Sequence, residues 1–381
     1  MKGKRRLPLV LALLLLLTLL PARATGTDRA NTLAAGGQAH SLAVQEDGTV
    51  LVWGDNSAGQ LGLGGDVAEI RKPTAVEGVS AVSVAAGEDF SAALRAGRIA
   101  MEEGAPYLCG GHIAHWAEWT GEEYFLSWSP STGVSTPEGY LQLRRYFIAW
   151  ADIIRQNGWE GKMTQALADE PQEGNARTYR ILAAICRKFL PGVPILDAVE
   201  TTNLGGGIDI WVPKQDTFEK KKDTFRLLQD AGEEIWFYTC AFPAGNIMNR
   251  SMDLPLTVSR LLLWMGASCR LTGFLHWGFN YYIGDDIWNR SCCPHKGALL
   301  PAGDAHIVYP GLDGPWISMR YEAQRGGAED YELFSQILLK NPAAADSILS
   351  MACTDFRTYT ADPSLLAQAR HRLLEEADRL S

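Results

Sequence analysis

Along residues 34–65, "AAGGQAHSLAVQEDGTVLVWGDNSAGQLGLGG", apolar and polar positions alternate in short runs. "HSLAV" and "TVLVWG" flank the turn "EDG", the pattern of a hairpin with one buried face. Ala34-Ala35-Gly36 recurs as Ala85-Ala86-Gly87, an offset of 51 residues. An offset of that size marks a propeller or solenoid, because each small unit can bury its face only on a neighbour. The second copy breaks off after "LRAGR", where another strand should follow. Residues 25–100 are therefore expected to hold one all-β propeller-like repeat and a fragment of a second.

From about residue 105 the period changes. Strands are expected at 106–111, 162–168, 193–199, 208–213, 234–241 and 273–282, each an apolar run bounded by turn residues. Helices are expected at 138–159, where Leu143, Phe147, Trp150 and Ile154 recur at three and four, and at 177–190, 216–232 and 254–269. Strands this apolar, alternating with helices, suit a parallel sheet covered on both faces. Polar residues cluster just past the strand ends: Asp169-Glu170, Thr201-Thr202-Asn203, Thr239-Cys240 and Asn280-Tyr281-Tyr282. No glycine-rich phosphate loop follows an early strand, so the pattern favours a (β/α) barrel with its active face at those ends over an open doubly wound sheet. The expected fold class is α/β: a (β/α) barrel with C-terminal helices over 105–381, preceded by the short all-β fragment. Only one strand reads ahead of residue 162, so the barrel lacks its first strands. Its open edges call for an oligomer or a partner segment to complete it.

The first 24 residues join a basic start, "MKGKRR", to a 14-residue apolar run and an A-x-A pattern at Ala22 and Ala24. This predicts a cleaved signal peptide over 1–24 and a secreted, periplasmic or cell-surface protein, an uncleaved anchor being the lesser reading. The chain has 44 acidic and 35 basic residues and no basic tract beyond that start, which argues against a nucleic-acid partner. The seven cysteines, far apart except for the vicinal Cys292-Cys293, form no disulfide framework, and no histidine cluster has ligand spacing, so neither cofactor nor metal is expected.

Candidate chemistry centres on "MTQALADEPQEG" (163–174). Glycoside hydrolysis commonly uses two carboxyl groups on separate elements. Asp169 and Glu170 are neighbours, and neighbouring side chains in a strand point to opposite faces. They suit a different division of labour. One acid protonates the leaving oxygen; the other orients a 2-acetamido group of the substrate, which attacks the anomeric carbon itself. On this logic Glu170 is the acid/base and Asp169 the amide-orienting residue, with charge proximity raising one pKa. The competing reading is a helix-start triplet, since Asp-Glu-Pro also suits a first turn. Eleven of the twelve tryptophans lie in 116–316. Trp236, Trp277 and Trp288, with Tyr238 and Tyr282, could form a sugar platform, and His276 and Asn280 could bond hydroxyls; any of them could equally be core.

These residues carry two resemblances. "GxxHSLAVxxDGxVxxWGxNxxGQLGLG", matched by His40, Trp53, Gly54, Asn56, Gly59 and Gln60, resembles the repeat of the regulator-of-chromosome-condensation propellers. "GWEGKMTQALADEP", "EIWFYTCAFPAGNIMNRSMDLPLTVSRLLLWMG", "LTGFLHWGFNYY" and "GDAHIVYPGLDGPWISMRYEAQRGGAEDYELF" resemble, in order, the catalytic domain of glycoside hydrolase family 123. The second resemblance implies a β-N-acetylgalactosaminidase-like enzyme on a barrel, acting by retaining, substrate-assisted catalysis on a glycan with terminal N-acetylhexosamine. Carried onto this chain, it gives Asp169 the acetamido role and Glu170 the acid/base role. The other class in play is a catalytically inactive carbohydrate-binding or protein-interaction module derived from a truncated barrel.

Overall fold

The computed structural model describes residues 34–36, 40–45, 49–56, 61, 69–80, 84–86, 91–93, 104–118, 121–282, 288, 290–295, 298–311 and 314–380. The expected signal peptide lies outside the described residues. No described helix is long and apolar enough to cross a membrane. The chain divides into two compact units, with the boundary between Asp209 and Ile210.

The first unit opens with an antiparallel sheet of β1 (Ala34–Gly36), β2 (His40–Val44), β3 (Thr49–Asp55) and β4 (Glu69–Ser80), in that spatial order. Alternation in β2 and β3 sends Leu42, Val50 and Val52 to one side, where they pack with Leu61. The repeat motif has local work to do. Gly54 sits at φ 109°, a conformation that favours glycine, and the buried Asn56 side chain accepts the Leu61 N–H at 2.9 Å. The second copy reaches its first hairpin, β5 (Val84–Ala86) against β6 (Ser91–Ala93).

Beyond residue 104 the alternation of strand and helix emerges as expected. β7 (Leu108–Gly110) pairs in parallel with β11 (Met163–Gln165), Leu108 opposite Met163. Gln165 bridges in parallel to Ile195, at the start of β12 (Leu196–Val199). The crossovers are α1 (Pro137–Asn157) and α2 (Ala176–Phe189). α1 starts where Thr136 Oγ1 accepts the Gly139 N–H and Pro137 fills the first turn; it ends at Gly158, φ 65°. A three-strand antiparallel meander, unread from the sequence, separates β7 from α1: β8 (Ala114–Trp116), β9 (Tyr124–Leu126) and β10 (Ser129–Gly133).

The second unit continues the theme. β13 (Ile210–Pro213) pairs in parallel with β14 (Glu234–Ile235), and β15 (Phe237–Tyr238) pairs in parallel with β16 (Phe274–Leu275). The helix expected over 216–232 is two, α3 (Gln215–Lys220) and α4 (Lys222–Asp230), broken at Lys221, whose φ of −116° leaves the helical region. The strand expected over 273–282 ends after Leu275, because His276 Nδ1 takes the Gly278 N–H and turns the chain. α5 (Leu256–Ser268) is almost wholly buried, and hairpins β17 (Pro294–His295)–β18 (Ala298–Leu299) and β19 (Val308–Gly311)–β20 (Gly314–Ile317) precede the C-terminal helices. These are α6 (Met319–Lys340), α7 (Pro342–Ser350) and α8 (Pro363–Leu380). The buried Asp330 of α6 ties three helices. It accepts Arg260 Nε at 2.7 Å and Trp264 Nε1 at 2.9 Å from α5, and Arg370 Nε at 3.1 Å from α8. The architecture is mixed α/β, with several short sheets and flanking helices. Among the described residues neither a closed barrel nor a propeller forms.

Candidate active site

Asp169 and Glu170 follow the C-terminal end of β11, the position that parallel strands use to present polar groups. Asp169 is exposed and Glu170 partly buried. Glu170 has φ 41°, a left-handed conformation that costs a non-glycine residue about 1 kcal/mol. The strict alternation of an extended strand therefore ends at the pair. Its backbone is pinned: Trp116 Nε1 donates to the Asp169 carbonyl at 3.3 Å, and Gln172 Nε2 to the Glu170 carbonyl at 3.1 Å. Gln172 N in turn donates to Asn175 Oδ1 at 2.7 Å, and Tyr124 OH donates to the same oxygen at 3.0 Å.

Beneath the pair lies a carboxylate the sequence reading passed over. Asp197 of β12 is 1% exposed. Its Oδ2 accepts the Leu167 N–H at 2.8 Å, the Ala168 N–H at 3.4 Å and the Tyr179 hydroxyl at 2.6 Å. Its Oδ1 lies 3.2 Å from His112 Nε2. Burial pushes the Asp197 carboxyl up, and His112, Tyr179 and the Leu167 N–H oppose that without cancelling it. Burial works against the His112 imidazolium. The hydrogen bond and charge of Asp197, reinforced by Asp169, nonetheless hold its pKa above the ordinary value. The available signals were an aspartate inside the apolar run "PILDAV" and a histidine just past "LCGG".

The aromatic candidates all belong to the second unit. Three of the candidates, Trp236, Tyr238 and His276, are buried. Trp236 is in the core with its indole N–H on Glu234 Oε1 at 2.8 Å, and its ring lies where a Cβ on Gly273 would fall. Tyr238 is likewise core. His276 is enclosed: Arg250 Nη2 donates to its Nδ1 at 2.8 Å and Gly278 N donates to the same atom at 3.1 Å. Two donors on Nδ1 place the ring proton on Nε2, which lies 3.3 Å from Asp304 Oδ1. Burial, then the Arg250 charge, lowers the His276 pKa to about 4. Arg250 turns inward, and burial followed by Arg320 lowers its pKa to about 9.

Around this cluster stand the remaining candidates. Trp277 is partly buried and donates to Asp304 Oδ2 at 2.9 Å; its ring meets Tyr281 edge-on at 5.5 Å. Asn280 bridges His306 in antiparallel fashion, and Tyr282 OH donates to the Val308 carbonyl at 2.8 Å. Trp288 is 56% exposed, stacked on Tyr309 at 5.5 Å beside Trp316. Asp304, His306 and Arg320, which organise the cluster, were missed as a set. Arg320 donates to the carbonyls of Arg250, Gly303 and His306. Among the described residues no group of three His, Cys, Asp or Glu side chains could hold a metal ion.

Residues 47–94 and 32–60 match regulator of chromosome condensation (RCC1) repeats. Protein RCC2 homolog of Danio rerio is 42% identical over 60 residues, 15% of this chain and 12% of that protein. A family 123 glycoside hydrolase from Clostridium perfringens, solved in work on glycolipid glycan hydrolysis, is similar in fold, with a TM-score of 0.51 and 12% identity. The similarity covers 74% of this chain and 54% of that one, so this chain spans about half the length of the clostridial structure. The model of the glycoside hydrolase 123 catalytic domain matches residues 110–337, a span holding the acidic pair, the Asp197 network and the Asp304 cluster; the chain belongs to the glycoside hydrolase 123 catalytic-domain family.

Proposed function

We propose that this chain is a β-N-acetylhexosaminidase, acting on β-linked N-acetylgalactosamine or a related sugar by retaining, substrate-assisted catalysis. The observation that carries the reading is the Asp169-Glu170 pair at the end of β11, with Glu170 in a left-handed conformation. That conformation lifts the objection that two consecutive strand residues face opposite ways and cannot serve one sugar. Glu170 protonates the departing oxygen, then takes a proton from the water that opens the cyclised intermediate. Asp169 accepts the acetamido N–H and stabilises the positive charge that develops as the amide oxygen closes on C1. Trp277, Asn280, Tyr282 and Trp288 are the residues proposed to meet the glycan.

The organisation proposed with it is a signal peptide over 1–24, a repeat fragment over 25–100 and a catalytic domain over 105–381 of a secreted or cell-surface protein. The parallel pairings of β7 with β11, β13 with β14 and β15 with β16 support a barrel-derived domain short of its first strands. An oligomer or partner segment would complete it. The clostridial enzyme's glycolipid glycans suggest a glycolipid as the substrate class. The test compares wild type with Glu170→Gln and Asp169→Asn on N-acetylated and non-acetylated aryl β-glycosides. Turnover confined to the N-acetylated substrate and lost in both variants is expected. Binding of the sugar without turnover by the wild type would replace this reading with that of a carbohydrate-binding module.

A further inference from the structure

The segment bearing the acidic pair is clamped from two sides by groups that the proposed chemistry does not use. On one side, Ile113 N and Ala114 N both donate to the Leu167 carbonyl, at 3.1 and 3.0 Å, and Ala114 bridges Ala168 in parallel. On the other, the buried Asp197 carboxylate takes the N–H groups of Leu167 and Ala168. His112 precedes the first of these clamps and sits on Asp197. Its side chain is 42% exposed, whereas that of Asp197 is 0%. The network thus runs from a buried carboxylate to a solvent-facing imidazole at the end of β7, the strand in register beside β11.

We propose that His112 is a positioning residue for the acidic pair: seated on Asp197, it steadies the carboxylate that fixes the height of the pair through the backbone N–H groups of Leu167 and Ala168. This rests on the hexosaminidase reading above. The physical need is specific to that chemistry. Asp169 must meet the acetamido N–H while Glu170 meets the departing oxygen, so the backbone that carries both carboxyls has to stay at one height. The charged groups facing His112 are Asp197 from β12 and Asp169 beyond β11. The Tyr179 and Tyr124 hydroxyls, on α2 and β9, face Asp197 and are pushed up chiefly by burial, so they stay neutral.

The experiment uses the full chain with His112→Gln and His112→Ala, beside Asp169→Asn and Glu170→Gln. On 4-nitrophenyl N-acetyl-β-galactosaminide, His112→Gln should lower kcat by about tenfold while KM changes by less than about twofold. Added imidazole should restore part of the rate to His112→Ala. Independently of turnover, the NMR titration midpoint of the His112 ring should fall in Asp169→Asn. A His112→Gln enzyme with wild-type kcat, or a His112 midpoint unmoved by Asp169→Asn, overturns the proposal. Failure of the hexosaminidase reading shows separately, as activity surviving in Asp169→Asn and Glu170→Gln. If the wild type does not turn over, the midpoint alone decides.

Discussion

Trp277 donates its indole N–H to Asp304 at 2.9 Å, so a tryptophan proposed to meet sugar is also an anchor for a buried carboxylate. The two roles separate by substitution. Trp277→Phe keeps a ring but leaves Asp304 short of one donor, and should cost about 1–2 kcal/mol in urea denaturation with little change in KM. Trp277→Ala removes both and should raise KM as well. A KM equal to wild type in the alanine variant would confine Trp277 to structure.

Two buried histidines set the response to acid. Burial is the leading cause that lowers the pKa of both His276 and His306 to about 4. The unfolded chain begins to bind protons at these sites near pH 6.5, whereas the folded chain resists until about pH 4. Their contribution is therefore present above pH 6.5 and lost as pH falls towards 4, about 3 kcal/mol for His276 over that window. Chemical denaturation followed by tryptophan fluorescence between pH 7 and pH 4 should show that slope. His276→Asn, which keeps an acceptor facing Arg250 and does not titrate, should flatten it.

The left-handed backbone at Glu170 makes a reversed prediction. Elsewhere alanine usually stabilises relative to glycine; here Glu170→Gly should be more stable than Glu170→Ala by about 1 kcal/mol, because both lose the carboxylate and only glycine escapes the strain. Thermal melts of the two variants check this directly. An alanine variant equal to or better than glycine would contradict the φ of 41°.

Asp330→Ala should destabilise the second unit by about 3 kcal/mol, the low end for a broken buried pair, since Arg260 and Arg370 keep partial access to water. Urea midpoints of the variant and wild type give the value. Any turnover by the surviving folded protein should be unchanged, because among the described residues the side-chain partners of Asp330, namely Arg260, Trp264 and Arg370, lie on α5 and α8.

What the sequence disclosed follows from the range of the interactions. α1 was legible nearly to the residue because its apolar spacing, its Thr136-Pro137 start and its Gly158 stop are all local. The acidic pair was legible because a strand, two acids and a proline are contiguous. The Asp197 network was not, since it joins His112, Leu167, Tyr179 and Asp197 across intervals of up to 85 residues that no period encodes. Trp236 and Tyr238 read as sugar-facing because aromatic composition is the same in a core and at a subsite; only the closeness of Gly273 to the Trp236 ring separates the two. The β8–β10 meander escaped notice because "SPSTG" and "AHW" lack a run of β-branched residues.

The Arg370–Asp330 contact has a practical side. The family match stops at residue 337, inside α6, and Arg370 lies on α8 beyond it. A fragment trimmed to residues 110–337 would cut α6 short, strip the carboxylate of one of its two guanidinium partners and lay bare the faces of Phe334 and Ile337 that α6 buries. The excision limits for producing this domain therefore run to residue 380, and a preparation that follows the family boundary should precipitate where the longer one stays in solution.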